Sequence, residues 1–192
     1  MSHFFAMLSR MKYINRWGLM RNTRPENLSE HSLETAVIAH GLAVLSNRRF
    51  GGDFDPERAA LLALFHDAGE ILTGDLPTPV KYYNPEIKSA YQAVETVAAD
   101  KLLSLLPADL REDYVSLLKP QPADEALWRL VKAADKLSAL IKCAEEEKTG
   151  NRDFSKAMKS LSQAVAELHL PAADCFMEEF FPSYSLTLDE QD

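Results

Sequence analysis

Cysteine is scarce in this chain. Only Cys143 and Cys175 occur, and neither sits at the short spacing of a thiolate metal site. A disulfide scaffold and a cysteine-ligated zinc site are thereby excluded, and the two read as buried thiols of a reducing compartment, the cytoplasm. Glycine is also thin, seven residues scattered over 192, which argues against a β-rich or low-complexity chain. No apolar run approaches the ~20 residues of a membrane helix, and no secretory hydrophobic region is present. Basic residues are outnumbered, 21 Lys and Arg against 29 Asp and Glu, for a formal charge of −8. Nucleic-acid polymers and anionic membranes, which are held by Lys and Arg, are therefore disfavoured partners.

What is present suits a soluble globular protein: 46% hydrophobic and 26% charged residues, enough for one domain with a real core. The first 25 residues hold Arg10, Lys12, Arg16, Arg21 and Arg24 and no acid. That resembles a transit peptide, but Tyr13, Ile14 and Trp17 look like packing residues and place the stretch within the fold.

The apolar periodicity is helical throughout. Met7, Leu8, Met11 and Ile14 predict a first helix over residues 7 to about 15. Ser29 is the expected N-cap of a second, over 30 to about 47, with His31, Thr35, Ile38, Leu42 and Leu45 on one face. Asp55-Pro56-Glu57 opens a third that runs to about Ile71. Gly74, Pro77 and Pro79 then enforce a rigid, extended loop. A fourth helix opens at Asn84-Pro85 and stops at Pro107; a short helix over 109–118 and a long one over 122–148 follow. Two further pieces lie near 154–168 and 171–180, and the tail, 186–192, is expected to fray. The fold class is all-α, a single helical domain.

The third helix carries the chemistry. Its apolar run Leu61-Leu62-Ala63-Leu64-Phe65 continues into His66-Asp67-Ala68-Gly69-Glu70. Burying that face desolvates an imidazole and a carboxylate, which is costly unless something compensates, and a bound cation is one such compensation. A hydrogen-bonded His-Asp pair is the plainer reading of the dipeptide alone. His31 on the second helix and Asp135 on the long helix, however, also lie on faces that look buried. His3, His40 and His169 lack that setting. Together His31, His66, Asp67 and Asp135 form a mixed nitrogen and oxygen donor set for one divalent ion, Co²⁺, Mn²⁺, Zn²⁺ or Fe²⁺. Ligand softness does not choose among them, and Co²⁺ or Mn²⁺ is the expectation.

This H…HD…D pattern across three helices resembles the HD-domain metal-dependent phosphohydrolases. Asn15-Arg16-Trp17, Ser29-Glu30-His31-Ser32, His66-Asp67-Ala68-Gly69-Glu70, residues 73–81 and the Asp135 segment resemble, more narrowly, the bacterial HD-domain 5'-deoxynucleotidases of the YfbR type. The resemblance covers most of the chain and is weakest over about 106–125 and in the last turns. It implies a homodimeric enzyme that removes phosphate from deoxyribonucleoside 5'-monophosphates with a divalent metal. It also implies a metal-site core over about 28–140, with residues 1–27 packed on it and completing the site.

The residues suggest a division of roles. Arg16 offers a forked contact to phosphate, or else caps helix carbonyls. Glu70 is the candidate general acid or base, or else orients His66. Asp75 positions the attacking water or meets the sugar, and Trp17 is a flat wall against C2' or part of the core. His31, Asp67, Asp135, Leu76, Pro77 and Thr78 complete the expected substrate contacts. A hydrolase of nucleoside triphosphates or cyclic nucleotides, and a non-catalytic helical domain keeping a metal site, are the alternatives. The first needs more basic residues than this chain offers, and the second has no use for Glu70 or Arg16.

Overall fold

The structure, a computed structural model, describes residues 1–81 and 83–191. Asp192, at the end of the expected frayed tail, lies outside them. Three helices carry the architecture: α2 (Leu28–Arg49), α3 (Pro56–Phe65) and α8 (Glu125–Lys148). Around them lie α1 (Phe4–Leu8), α4 (Glu70–Thr73), α5 (Thr78–Lys81), α6 (Pro85–Ser104), α7 (Arg111–Leu118), α9 (Ser155–Ala166) and α10 (Pro171–Glu179). Among the described residues there is no strand, only one isolated antiparallel bridge between Asn15 and Asn27.

The core forms where α2, α3 and α8 meet. Leu42, Leu62, Leu130, Leu137 and Ile141 are buried there, interleaved with Ala39, Ala43, Ala63, Ala133 and Ala134. Alternating large and small side chains lets the backbones approach while the leucines fill the gaps. Each buried leucine contributes about 1.5–3 kcal/mol of transfer free energy. A second cluster, Phe4, Ala68, Leu102, Leu103 and Leu106, joins α1 and α6 to the segment after α3. A third, Met11, Leu28 and Ile71, seats the N-terminal segment on the start of α2.

Several boundaries differ from the sequence expectation, each for a local reason. The first helix begins earlier, because Phe4 is anchored in the core edge-on to Tyr114, and it gives way to a 3-10 turn over Ser9–Tyr13. Tyr13 is 64% exposed and lies outside the core, with Arg10 and Lys12 over its ring, whereas Ile14 is partly buried as expected. The N-cap of α2 is Asn27, not Ser29. Its side chain accepts from Ser29 N and Glu30 N, and Glu30 returns a bond to the Asn27 amide, a complete capping box. The third helix ends at Phe65, and residues 66–69 form tight turns before α4. The loop after Gly74 contains the one-turn helix α5, with Pro79 in its first turn, where proline is tolerated.

The N-terminal segment is held firmly. Arg16 N donates to Glu26 O at 3.0 Å and Leu28 N to Ile14 O at 2.9 Å. Further along, the buried Glu146 carboxylate of α8 accepts from Thr23 N, Thr23 Oγ1, Asn151 Nδ2 and the Lys142 ammonium. Burial alone would favour the neutral acid, but Lys142, Thr23 and Asn151 outweigh it and hold Glu146 well below the usual carboxylate range.

Candidate active site

The end of α3 is set by His66 itself. Its Nδ1 lies 2.6 Å from the Ala63 carbonyl, which also receives the His66 amide at 3.4 Å. A carbonyl only accepts, so Nδ1 carries a hydrogen in either charge state, and Nε2 is the nitrogen that can give up its proton and present a lone pair. With that carbonyl engaged one residue early, the chain tightens: Ala68 N donates to Phe65 O and Glu70 N to Asp67 O at 3.0 and 2.9 Å. The turn aims His66 and Asp67 inward together. His66 Nε2 is buried and has no hydrogen-bond partner.

Three segments converge on that atom. It lies 3.1 Å from Asp67 Oδ2 and 4.0 Å from Asp135 Oδ1. His31, fully buried on α2, places Nε2 3.2 Å from Asp135 Oδ1 and 3.6 Å from Asp67 Oδ2. All four donor atoms fall within 4.8 Å of one another. That is about twice a metal–nitrogen or metal–oxygen bond of ~2.0–2.2 Å, so one ion at their centre reaches every one with small adjustments. The orphaned Nε2 and the two facing carboxylates make the residues fit a divalent cation.

Electrostatics agree. Burial disfavours a charged His66, yet Asp67 and Asp135 push its pKa up to about 9. Burial also opposes ionisation of Asp67 and Asp135, but His66 and His31 hold both below the ordinary carboxylate range, with Arg16 aiding Asp67. The cluster thus favours positive charge at its centre, as a proton or as an ion.

Glu70, at the first turn of α4, is buried and its Oε2 has no partner. Its Oε1 is 3.9 Å from Lys81 Nζ, which pairs more closely with Glu95 at 2.8 Å. Burial, reinforced by Asp67 and Asp75, raises the Glu70 carboxyl to about 9, so it holds a proton at neutral pH. Arg16 lies among Glu26, Asp67 and Asp75, at 3.3, 3.6 and 3.9 Å. Trp17 has φ 59° and donates Nε1–H to Glu26 Oε2 at 2.9 Å while its ring packs on Phe154. A non-glycine residue in the left-handed region is strained by about 1–3 kcal/mol; here it accompanies the bond to Glu26 Oε2, the oxygen that also meets Arg16 Nε at 3.3 Å. Leu76 and Pro77 are half-buried on the Asp75 loop, and Thr78 is exposed at the start of α5.

The structure therefore brings His31, His66, Asp67 and Asp135 together and sets Arg16 against Asp67 and Asp75. Two participants escaped the sequence reading. Glu26, which bonds both Arg16 and Trp17, has no local signature, because its role depends on the Asn15–Asn27 bridge. Glu34, three residues after His31 on α2, accepts from Ser138 Oγ at 2.6 Å, and that hydroxyl lies 3.1 Å from His31 Nδ1; helical spacing alone places it on the side of His31.

Residues 3–184 match the profile of a family described as 5'-deoxynucleotidase YfbR-like. A 5'-deoxynucleotidase of Photorhabdus laumondii subsp. laumondii is 51% identical over 190 residues, covering 99% of this chain and 96% of that protein. A 5'-deoxynucleotidase of Erwinia tasmaniensis is 52% identical over 189 residues, covering 98% and 96%. Among solved structures, an HD-domain phosphohydrolase from Listeria innocua superposes with a TM-score of 0.82 at 23% identity, over 95% of this chain and 88% of that one. At that identity the likeness speaks for the fold.

Proposed function

The chain belongs to the 5'-deoxynucleotidase YfbR-like family of HD-domain hydrolases, and on that premise we propose how its residues divide the hydrolysis of a 2'-deoxyribonucleoside 5'-monophosphate into deoxynucleoside and phosphate. The observation that carries the division is the convergence of four donors from three segments around the orphaned His66 Nε2. His31, His66, Asp67 and Asp135 hold one divalent ion. The mixed donor set suits Co²⁺, Mn²⁺, Zn²⁺ and Fe²⁺ alike; of these we favour Co²⁺ or Mn²⁺, and metal add-back decides. When bound, the ion lowers the pKa of a water and neutralises charge on the phosphoryl oxygens.

The protein's own residues do the rest. Arg16, a single cation facing Glu26, Asp67 and Asp75, forks onto the phosphate; without the ion that neighbourhood is too negative for a dianion. His31, Asp67 and Asp135 border the phosphate as well as the ion. Glu70 keeps a proton for the departing 5'-oxygen, a poor leaving group that benefits from an acid. Asp75, beside Arg16, positions the attacking water. Trp17 walls the sugar so that a 2'-hydroxyl finds no partner, while Leu76, Pro77 and Thr78 close the other side. Residues 1–27 thus complete a site whose metal-holding part lies within about 28–140.

The homodimer and the cytoplasm, as the resemblance and the two free buried cysteines suggest, belong to the same reading; the mass in solution tests the first. The whole reading is tested by phosphate release from deoxy- and ribonucleoside mono-, di- and triphosphates, with EDTA and metal add-back. Deoxyribonucleoside monophosphates should be preferred, and EDTA should abolish turnover until metal is restored. Full turnover by metal-stripped protein, or preference for triphosphates, contradicts it.

A further inference from the structure

His66 and His31 face the same cluster but are held by different devices. His66 is fixed by the rigid Ala63 carbonyl, 2.6 Å from its Nδ1. His31 Nδ1 instead lies 3.1 Å from Ser138 Oγ, and Ser138 Oγ lies 2.6 Å from Glu34 Oε2. A hydroxyl both donates and accepts, so Ser138 alone leaves the His31 tautomer open. Glu34 settles it. As a carboxylate it only accepts, so the Ser138 hydrogen points to Glu34 and an oxygen lone pair faces the ring. His31 must then carry its hydrogen on Nδ1, which frees the Nε2 lone pair toward Asp67 and Asp135. Thr35 Oγ1 stands 3.5 Å from Nε2, at the limit of a hydrogen bond and on the opposite edge of the ring.

The placement suits a relay rather than incidental packing. His31 and Ser138 are fully buried, so neither can borrow a partner from water. Glu34 is half-buried beside a surface depression shared with Arg24, Glu26, Glu30, Lys142 and Glu145. Burial pushes its carboxyl up to about 6, against the Ser138 hydrogen bond that favours the carboxylate, so at neutral pH it is mostly the acceptor the geometry requires. On α2, Glu34 lies three residues after His31 and so on the same side, and Ser138 on α8 reaches across to both.

We propose that Ser138 and Glu34 are positioning residues which, through the chain His31 Nδ1–H to Ser138 Oγ–H to Glu34, fix His31 as a metal ligand. The inference rests on the metal reading above. It requires a hydroxyl at 138 and an oxygen acceptor facing that hydroxyl at 34, a part the amide oxygen of a glutamine can take without a negative charge.

Mn²⁺ binding to the full-length metal-stripped protein, read from the free-ion electron paramagnetic resonance signal, tests it. Ser138→Ala should weaken Mn²⁺ binding by about 10–100-fold, with turnover recovering as Mn²⁺ is raised. Glu34→Leu should move in the same direction. Ser138→Thr and Glu34→Gln, which keep the hydroxyl and the acceptor, should bind Mn²⁺ close to the parent. Nitrogen NMR of the parent should find His31 protonated at Nδ1. Should Ser138→Ala fail to fold, the Glu34→Leu and Glu34→Gln pair at the outer end of the chain decides. Parent-like affinity in Glu34→Leu, or an equal loss in Glu34→Gln, overturns the relay while leaving the metal site standing. A parent protein that binds no Mn²⁺ brings down the metal reading and the relay with it.

Discussion

Glu70 holds its proton because burial and two neighbouring carboxylates make ionisation costly, and this decides how its replacement behaves. As the acid, it is competent below its pKa of about 9 and fails above it; a bound divalent ion moves that limb to lower pH by favouring the carboxylate. Glu70→Gln should keep the metal, lower kcat by about 10²–10⁴ and lose the alkaline limb of the pH–rate profile. Rescue by excess metal would instead make Glu70 a support of His66. Arg16→Ala supplies the contrast, since losing the phosphate clamp should raise KM as well as lower kcat. His66 adds a second dependence on pH. Its raised pKa means that the metal-free protein gains stability from the imidazolium below the ordinary value of 6.5 and loses it as pH rises through about 9. Metal uptake must expel that proton, so apparent Mn²⁺ affinity should strengthen as pH rises toward about 9. A binding curve flat from pH 6 to 9 would contradict this.

Helix α2 depends on its first turn, where His31 sits. Asn27 satisfies two amides that would otherwise be orphaned, and the Glu30 side chain closes the box. Asn27→Ala should cost about 1 kcal/mol, within a range of ~0.5–2, and Asn27→Ser much less. Urea unfolding of both variants checks it, and equal midpoints would mean that the tertiary contacts of α2 override the cap. The end of α3 follows a different rule. Apolar spacing ran past Phe65, but the His66 ring competes for the Ala63 carbonyl and stops the helix there. Periodicity reports which face is buried, not where a side chain takes over a backbone acceptor.

The molecule as a whole is tied at two places. The metal cluster joins α2, the turn after α3 and α8, so an ion bound only by the folded state stabilises it by mass action. At metal a thousand times its Kd this amounts to about 4 kcal/mol. EDTA should therefore lower Tm by several degrees in the parent and have little effect on Asp135→Ala. Glu146 is the second tie, joining α8 to the loop beside the site. Its depressed pKa contributes stability above the unfolded carboxylate value that is lost as pH falls through the folded one. Glu146→Gln should be less stable at neutral pH and show a shallower acid transition below about pH 4.5.

Sequence alone determined the helical class, the order of the long helices and the residue types of the cluster. Amphipathic spacing, N1 prolines and a histidine beside an aspartate are local features, legible within one or two turns. The resemblance of the motifs then pointed to the family. Tertiary structure alone decided the rest. Residues 31, 66–67 and 135 are far apart in the chain, and only the packing of α2, α3 and α8 brings their donor atoms within 4.8 Å. Glu26 acquires Arg16 and Trp17 through a backbone bridge that no spacing announces. Ser138 meets His31 because two helices cross at that point, 107 residues apart in sequence. Buried polar groups must find partners wherever the fold puts them, and that requirement is settled in space rather than along the chain.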